Sequence, residues 1–295
     1  MATFRVPPLL AERAAREPGM GAWIAGLPAI VAELSAEWRL RVRTPFRPGG
    51  HCAWVAPATD AAGRARVLKL AFRFPSAEER DEAAGLRTWA GNGAVRLHAA
   101  RELESTCALL LERCAPGTPL RARLAGPDQD EVVAGLLRRL WAQPYQAARF
   151  RPLGQMCAEW ADGFEAGYAA AAGDKLDAGI AAAGIGLFRT LPQTADREAL
   201  LCTDLHAANI LAARRVPWLV IDPKPYVGDP AYDVLQHMLN CRTRLAADPA
   251  GLAARMAGLT GLDAGRVRRW LLARCVQESL HDPLMRRAAR RLARD

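Results

Sequence analysis

Two carboxylates and an amide fall close together in one stretch of this chain: Asp204, Asn209 five residues later, and Asp222 thirteen residues after that. The short apolar runs Asn209–Ala213 and Trp218–Asp222 flank a four-residue connection, so they are expected to pair as a hairpin with Asn209 and Asp222 opposite each other. An amide oxygen and a carboxylate at the same end of two paired strands offer hard ligands for Mg²⁺, which keeps its other positions for water and phosphate. Asp204, in the loop above, is placed to orient a hydroxyl group and accept its proton. Singly, each has a plainer reading: Asp204 as a turn residue, Asn209 as a hydrogen-bonder at a strand start, Asp222 as a turn former at a strand end. Together, the spacing and the hairpin match the catalytic loop and metal aspartate used for phosphoryl transfer.

Upstream, Lys69 stands mid-strand in Val67-Leu-Lys-Leu-Ala71, on the face it shares with Val67 and Ala71. Such a lysine either lies at a sheet edge with its head in water or is directed at phosphates. Ser76-Ala-Glu-Glu79 reads as a capping box opening a helix to about Trp89, and Glu78, Glu79 and Glu82 on that helix are natural partners for the lysine. With Glu79 occupied by the cap, the choice falls on Glu82, one turn further in and on a face with Leu86 and Trp89. Gly49-Gly50, before the strand Cys52–Ala56, would let backbone amides approach a triphosphate, although a Gly pair also makes a simple turn.

The elements that must position these residues are legible in outline. Leu9–Arg16 and Ala29–Trp38 have apolar residues at helical spacing and form a lead-in. Leu40–Val42, Cys52–Ala56 and Arg66–Phe72 read as strands of a small antiparallel sheet, with turns at Gly49-Gly50 and Asp60–Gly63; Ala94–Leu97 and Cys107–Glu112 are read as further strands. Ala115-Pro-Gly-Thr-Pro119 is a Pro/Gly-punctuated exit that divides the chain into lobes of about 1–113 and 114–295. Beyond it the chain reads as helical over 120–201 and from Ala231 to the end, interrupted by 202–230.

Composition narrows the class. At 295 residues and 51% apolar content the chain can build two cores, and no uncharged apolar run reaches the roughly 20 residues a membrane helix needs. The start, Met1-Ala-Thr-Phe-Arg, has no apolar signal core, so a cytoplasmic location is expected. Seven cysteines, an odd number without a CxxC pair, argue against a zinc finger and a disulfide framework. The net charge of +9 and the stretches Arg266-Val-Arg-Arg and Arg286–Arg291 raise nucleic-acid binding, but the arginines recur at helical spacing, as on a solvated face, and no nucleic-acid motif accompanies them. Of the 40 basic residues 37 are Arg; the lysines are Lys69, Lys175 and Lys224, and two of these fall in the motifs above, where a compact ammonium is not interchangeable with a guanidinium.

With Val67–Lys69, Glu82–Leu86, Gly91–Leu97, Leu109–Arg113, Pro116–Leu120, Asp204–Asn209 and Trp218–Asp233 in hand, the chain over about 40–233 resembles the aminoglycoside/hydroxyurea antibiotic resistance kinases, the streptomycin 6-phosphotransferase type within the protein-kinase-like superfamily. The resemblance implies an α+β bilobal kinase-like fold, a mostly antiparallel sheet lobe and a helical lobe, with ATP between them and Mg²⁺ as the metal. It makes Asp204 the catalytic base, gives Asn209 and Asp222 the metal, pairs Lys69 with Glu82 and the α/β-phosphates, and gives adenine to the backbone of Glu112 and Cys114. His206 braces the loop or is a satisfied core histidine; Asp233 is similar to the carboxylate that braces the catalytic loop, and Asp229 before Pro230 is a helix cap. Lys224 meets phosphate oxygens or the cation-binding loop.

The acceptor implied is a small-molecule hydroxyl, an aminoglycoside such as streptomycin, whose guanidinium groups call for carboxylates; Glu159, Asp162, Glu278 and Asp282 are the candidates. One departure stands out: Cys202-Thr203 replaces the usual His-Gly before the base, which leaves a catalytically weak kinase-like binding protein as an alternative.

Overall fold

The computed structural model describes residues 4–74 and 81–294, and the chain divides into two compact units, Met1–Gly117 and Thr118–Asp295. The capping box Ser76–Glu79, with Glu78, lies outside the described residues.

The first unit opens with helices α1 (Pro8–Ala14) and α2 (Met20–Glu37). The second of these starts nine residues earlier than Ala29, because it runs on through Pro28, a residue that usually ends a helix. Strands β1 (Arg41–Val42), β2 (Ala53–Thr59) and β3 (Ala65–Phe72) follow, then α3 (Glu82–Trp89), β4 (Leu97–Leu103) and β5 (Thr106–Glu112). All pairings are antiparallel and the order is β1-β2-β3-β5-β4, so β3 is central. Leu68, Leu70 and Phe72 of β3 join Trp54, Ala56 and Ala108 in a core with the apolar stripe of α2. The opposite face of β3 presents Lys69 and Ala71, since strand side chains alternate. The expected strand Ala94–Leu97 is displaced: the strand begins at Leu97. Ala90, Gly91 and Gly93 all have positive φ and hold the preceding segment in a turn, and a bulge between Leu97 and Ala99 breaks the alternation that would have marked the strand.

The second unit is built on helices α4 (Gly126–Trp141), α5 (Leu153–Ala170) and α6 (Ala178–Thr190), then short strands β6 (Ala199–Leu201), β7 (Ile210–Ala212), β8 (Trp218–Val220) and β9 (Tyr226–Gly228). Helices α7 (Pro230–Asp233), α8 (Leu235–Asn240), α9 (Arg242–Ala247), α10 (Pro249–Thr260), α11 (Ala264–Glu278) and α12 (Pro283–Leu292) complete it. Helix α11 is its core: Val267, Trp270, Leu271, Cys275 and Val276 are buried, and the Trp270 ring meets those of Phe188 and Tyr232 edge to face. A Cβ on Gly184 of α6 would lie 2.4 Å from Val276 Cγ2, so the glycine is what permits this close helix approach. Among the described residues no helix is long and apolar enough to cross a membrane.

Strands β7 and β8 form the expected hairpin, with a different register. Ile210 pairs with Val220, and the Ile221 amide donates to the Asn209 carbonyl, so Asn209 faces Ile221 and Asp222 lies one residue further on. The reason is local: Asp222 has φ 55, a left-handed backbone that cannot continue a strand.

Candidate active site

The loop between β6 and β7 carries Asp204, and its shape comes from hydrogen bonds to its backbone. Cys202 and Thr203 donate their amides to the carboxylate of Asp233, which is fully buried at the end of α7 and also accepts from Trp141 Nε1 of α4. Burial carries the Asp233 carboxyl up to about 6, although the Cys202 amide, the Trp141 indole and the Thr203 amide favour its ionised form. Thr203 has φ 50, and its hydroxyl donates to the Lys224 carbonyl, while the Lys224 amide donates to the Cys202 carbonyl. The β-branched residue thus adopts the backbone conformation usual for glycine and adds a tie that glycine could not make.

On this frame the Asp204 carboxylate is half-buried. Gln236 Nε2 of α8 donates to its Oδ1 at 3.1 Å; Asn209 Nδ2 lies 3.5 Å from its Oδ2 and donates to the Asp204 carbonyl at 3.1 Å. Lys224 Nζ stands 4.0 Å from Oδ2. His206 is half-buried and its Nδ1 accepts from the Ala208 amide. Burial, with positive charges at His237 and Arg121 nearby, lowers its imidazole to about 4, so it is neutral and braces the loop without adding charge. Segment 118–121 is stitched alongside: Arg121 N–H donates to Ala207 O, and Ala212 N–H to Thr118 O.

The second unit therefore gathers Asp204, Asn209 and Lys224, with exposed Asp222 past the end of the hairpin. Because Nδ2 of Asn209 is turned toward Asp204, Oδ1 is the atom it has to offer a cation; with the Asp222 carboxylate it makes an all-oxygen donor set suited to Mg²⁺.

In the first unit, Lys69 is on the central strand, facing Val55 of β2 and Leu109 of β5. A place at a sheet edge is excluded. Its Nζ meets Glu82 Oε2 at 2.6 Å, both side chains buried, with Glu82 in the first turn of α3. Glu112 ends β5; its amide donates to the Arg96 carbonyl at 2.8 Å, and Cys114 follows, buried. Gly49 has φ +84, and a Cβ there would lie 2.4 Å from Pro7 Cβ, which accounts for glycine at that position by backbone conformation and packing; a Cβ on Gly50, whose φ is not positive, would meet the Ala53 carbonyl oxygen at 4.0 Å, an ordinary contact.

Asp229 caps α7 through the Ala231 amide and also accepts from Arg266 and Trp270. Each acid expected to meet a cationic acceptor is already paired with an arginine: Glu159 with Arg151, Asp162 with Arg189, Glu278 with Arg274, Asp282 with Arg242. Sequence reasoning missed Gln236 and Trp141. Gln236 lies three residues after Asp233 and so could have been sought on a neighbouring face, whereas nothing local marks Trp141.

The chain is similar to several known proteins over most of its length. The hydroxyurea phosphotransferase of Kitasatospora aureofaciens is 37% identical over 290 residues, covering 95% of this chain and 80% of that protein. The streptomycin 6-kinase of Streptomyces griseus is 35% identical over 290 residues, covering 95% and 91%. A solved aminoglycoside phosphotransferase in ternary complex with ADP and hygromycin B superposes with a TM-score of 0.58 at 17% identity, over 90% of this chain and 96% of that one, which shows the protein-kinase-like α+β fold. Residues 38–281 match the family described as aminoglycoside/hydroxyurea antibiotic resistance kinase, and the chain belongs to that family.

Proposed function

We propose that the protein transfers the γ-phosphoryl group of ATP to a hydroxyl of a small antibiotic-like molecule. The observation that supports this best is the Asp204 carboxylate, held at Oδ1 by Gln236 and beside Asn209 on a loop braced by buried Asp233. In the reaction the acceptor hydroxyl gives its proton to Asp204, its oxygen forms the new bond to γ-phosphorus, the bond to the β-bridging oxygen breaks, and ADP leaves with the electron pair. Asn209 Oδ1 and the Asp222 carboxylate would hold Mg²⁺, which when bound neutralises phosphate charge. Lys69, kept in place by Glu82, would hold the α/β-phosphates as a point charge. At Glu112 the amide is taken by Arg96, so an adenine contact there falls to its carbonyl, with the Cys114 backbone as the second contact. Gly49-Gly50 would lie along the triphosphate. All seven cysteines are reduced thiols, in keeping with work in the reducing cytoplasm where ATP is supplied.

The relatives include kinases of streptomycin and of hydroxyurea, and both are candidate acceptors. Pairing of Glu159, Asp162, Glu278 and Asp282 with arginines favours the uncharged one, since a dicationic acceptor would have to displace an arginine to reach any of them. Steady-state kinetics with ATP against streptomycin and hydroxyurea, with mass detection of product, tests both points. Phosphorylated product from at least one is expected, with the higher kcat/KM for hydroxyurea; a large preference for streptomycin would contradict the charge argument.

A further inference from the structure

Lys224 is tied to the loop of Asp204 by two backbone hydrogen bonds, its amide to the Cys202 carbonyl and its carbonyl from the Thr203 hydroxyl. Its side chain is 40% exposed, and its Nζ stands 4.0 Å from Asp204 Oδ2. The loop itself supplies no cation on that side: two residues after Asp204 stands His206, neutral at physiological pH. The other charged groups facing this loop are Asp222, Arg121 and His237, with Asp233 beneath it. Lys224 is also one of three lysines among 40 basic residues.

The geometry points to Lys224 as a further catalytic residue, an ammonium that rests against the Asp204 carboxylate and turns to the γ-phosphoryl oxygens as phosphorus passes to the acceptor. This rests on the phosphotransfer reading with Asp204 as base. Charge on those equatorial oxygens is what the site must stabilise in a loose transition state. Its ammonium is 4.0 Å from the proposed base, and the residue lies two positions past Asp222, a proposed metal ligand. The lysine stays protonated throughout; the proton of the acceptor goes to Asp204, and no bond to nitrogen forms or breaks.

The test is to compare wild type, Lys224→Ala, Lys224→Met and Asp204→Asn on the acceptor the wild type turns over, with ATP and with ATPγS, checking folding by thermal melting. Loss of a charge-stabilising donor is expected to lower kcat about 100-fold in both Lys224 variants. KM for ATP should stay within about threefold, because the contact is made as the phosphoryl group moves. The rate ratio of ATP to ATPγS should shrink in both, since the sulfur and the mutation weaken the same contact and their effects are not additive. Wild-type kcat in both variants, a loss confined to KM for ATP, or an unchanged ATP to ATPγS ratio would each overturn the role of Lys224. If Asp204→Asn keeps full turnover, or wild type phosphorylates nothing, the underlying reading falls with it. If Asp204→Asn is inactive and Lys224→Ala is not, Lys224 alone is wrongly assigned.

Discussion

Thr203 shows what a single residue must do to close the loop that bears Asp204. Its φ of 50 is a conformation that costs a β-branched residue about 1–3 kcal/mol. The hydroxyl that donates to the Lys224 carbonyl offsets part of that cost. Thr203→Val keeps the branching and loses the hydroxyl, so it is expected to destabilise the fold by about 1–3 kcal/mol. Thr203→Gly relieves the backbone while losing the same bond, and should fall within about 1 kcal/mol of wild type. Urea denaturation of the two variants checks the contrast; a Val variant as stable as wild type would mean that the hydroxyl contributes nothing. At this scale Asp204, Asn209 and Asp222 could be read from spacing because they lie within one short stretch. The partners that hold the loop could not: the acceptor for Thr203 is 21 residues away and Trp141 is 92 residues from Asp233.

Elements decide which way those side chains face. Burial of β3 on both faces is what makes Lys69 a buried lysine, and α3 brings Glu82 to within 2.6 Å of it. Lys69→Arg keeps the charge but not the compact head in a packed site, so KM for ATP is expected to rise and kcat to fall by at least about tenfold. Lys69→Ala leaves the Glu82 carboxylate buried without its cation, and is expected to destabilise by about 3–5 kcal/mol. ATP kinetics and thermal melts separate the two effects, and an Arg variant with wild-type constants would remove the phosphate role. The alternation in Val67–Ala71 announced this lysine. The hairpin register was missed by one residue because a left-handed Asp222 has no sequence signature of its own, aspartate being common in turns of every kind.

Across the molecule, each of the two units has its own means of cohesion, and that of Thr118–Asp295 has a pH signature. Asp130 of α4 accepts from His237 of α8, Arg244 of α9 and Arg255 of α10, joining four helices at one buried carboxylate. Burial alone would raise Asp130, but these three partners hold it well below the usual carboxylate range. Burial alone would lower His237, but hydrogen bonds to Asp130 and Cys241 carry it up to about 9. A histidine raised in the folded state stabilises fully below its unfolded value of about 6.5, and that contribution is lost as pH rises through about 9. The total is about 3 kcal/mol, so unfolding free energy should fall by that order between pH 6 and pH 10, and His237→Gln should flatten the fall. Stability that is flat over this range in wild type would show His237 to be neutral. Long-range nodes of this kind were invisible in the sequence, since Asp130 and His237 lie 107 residues apart, whereas the sheet-then-helices order was plain.

The central claim is that Asp204 takes the proton from an acceptor hydroxyl as phosphorus is transferred from ATP. Mass spectrometry of the acceptor after incubation with ATP and Mg²⁺, run in parallel for wild type and Asp204→Asn with nucleotide affinity measured on both, tests it most directly. The account predicts an acceptor one phosphoryl group heavier with equimolar ADP from wild type, none from Asp204→Asn, and ATP affinity within a few-fold between them. Equal amounts of phosphorylated acceptor from the two proteins would contradict it.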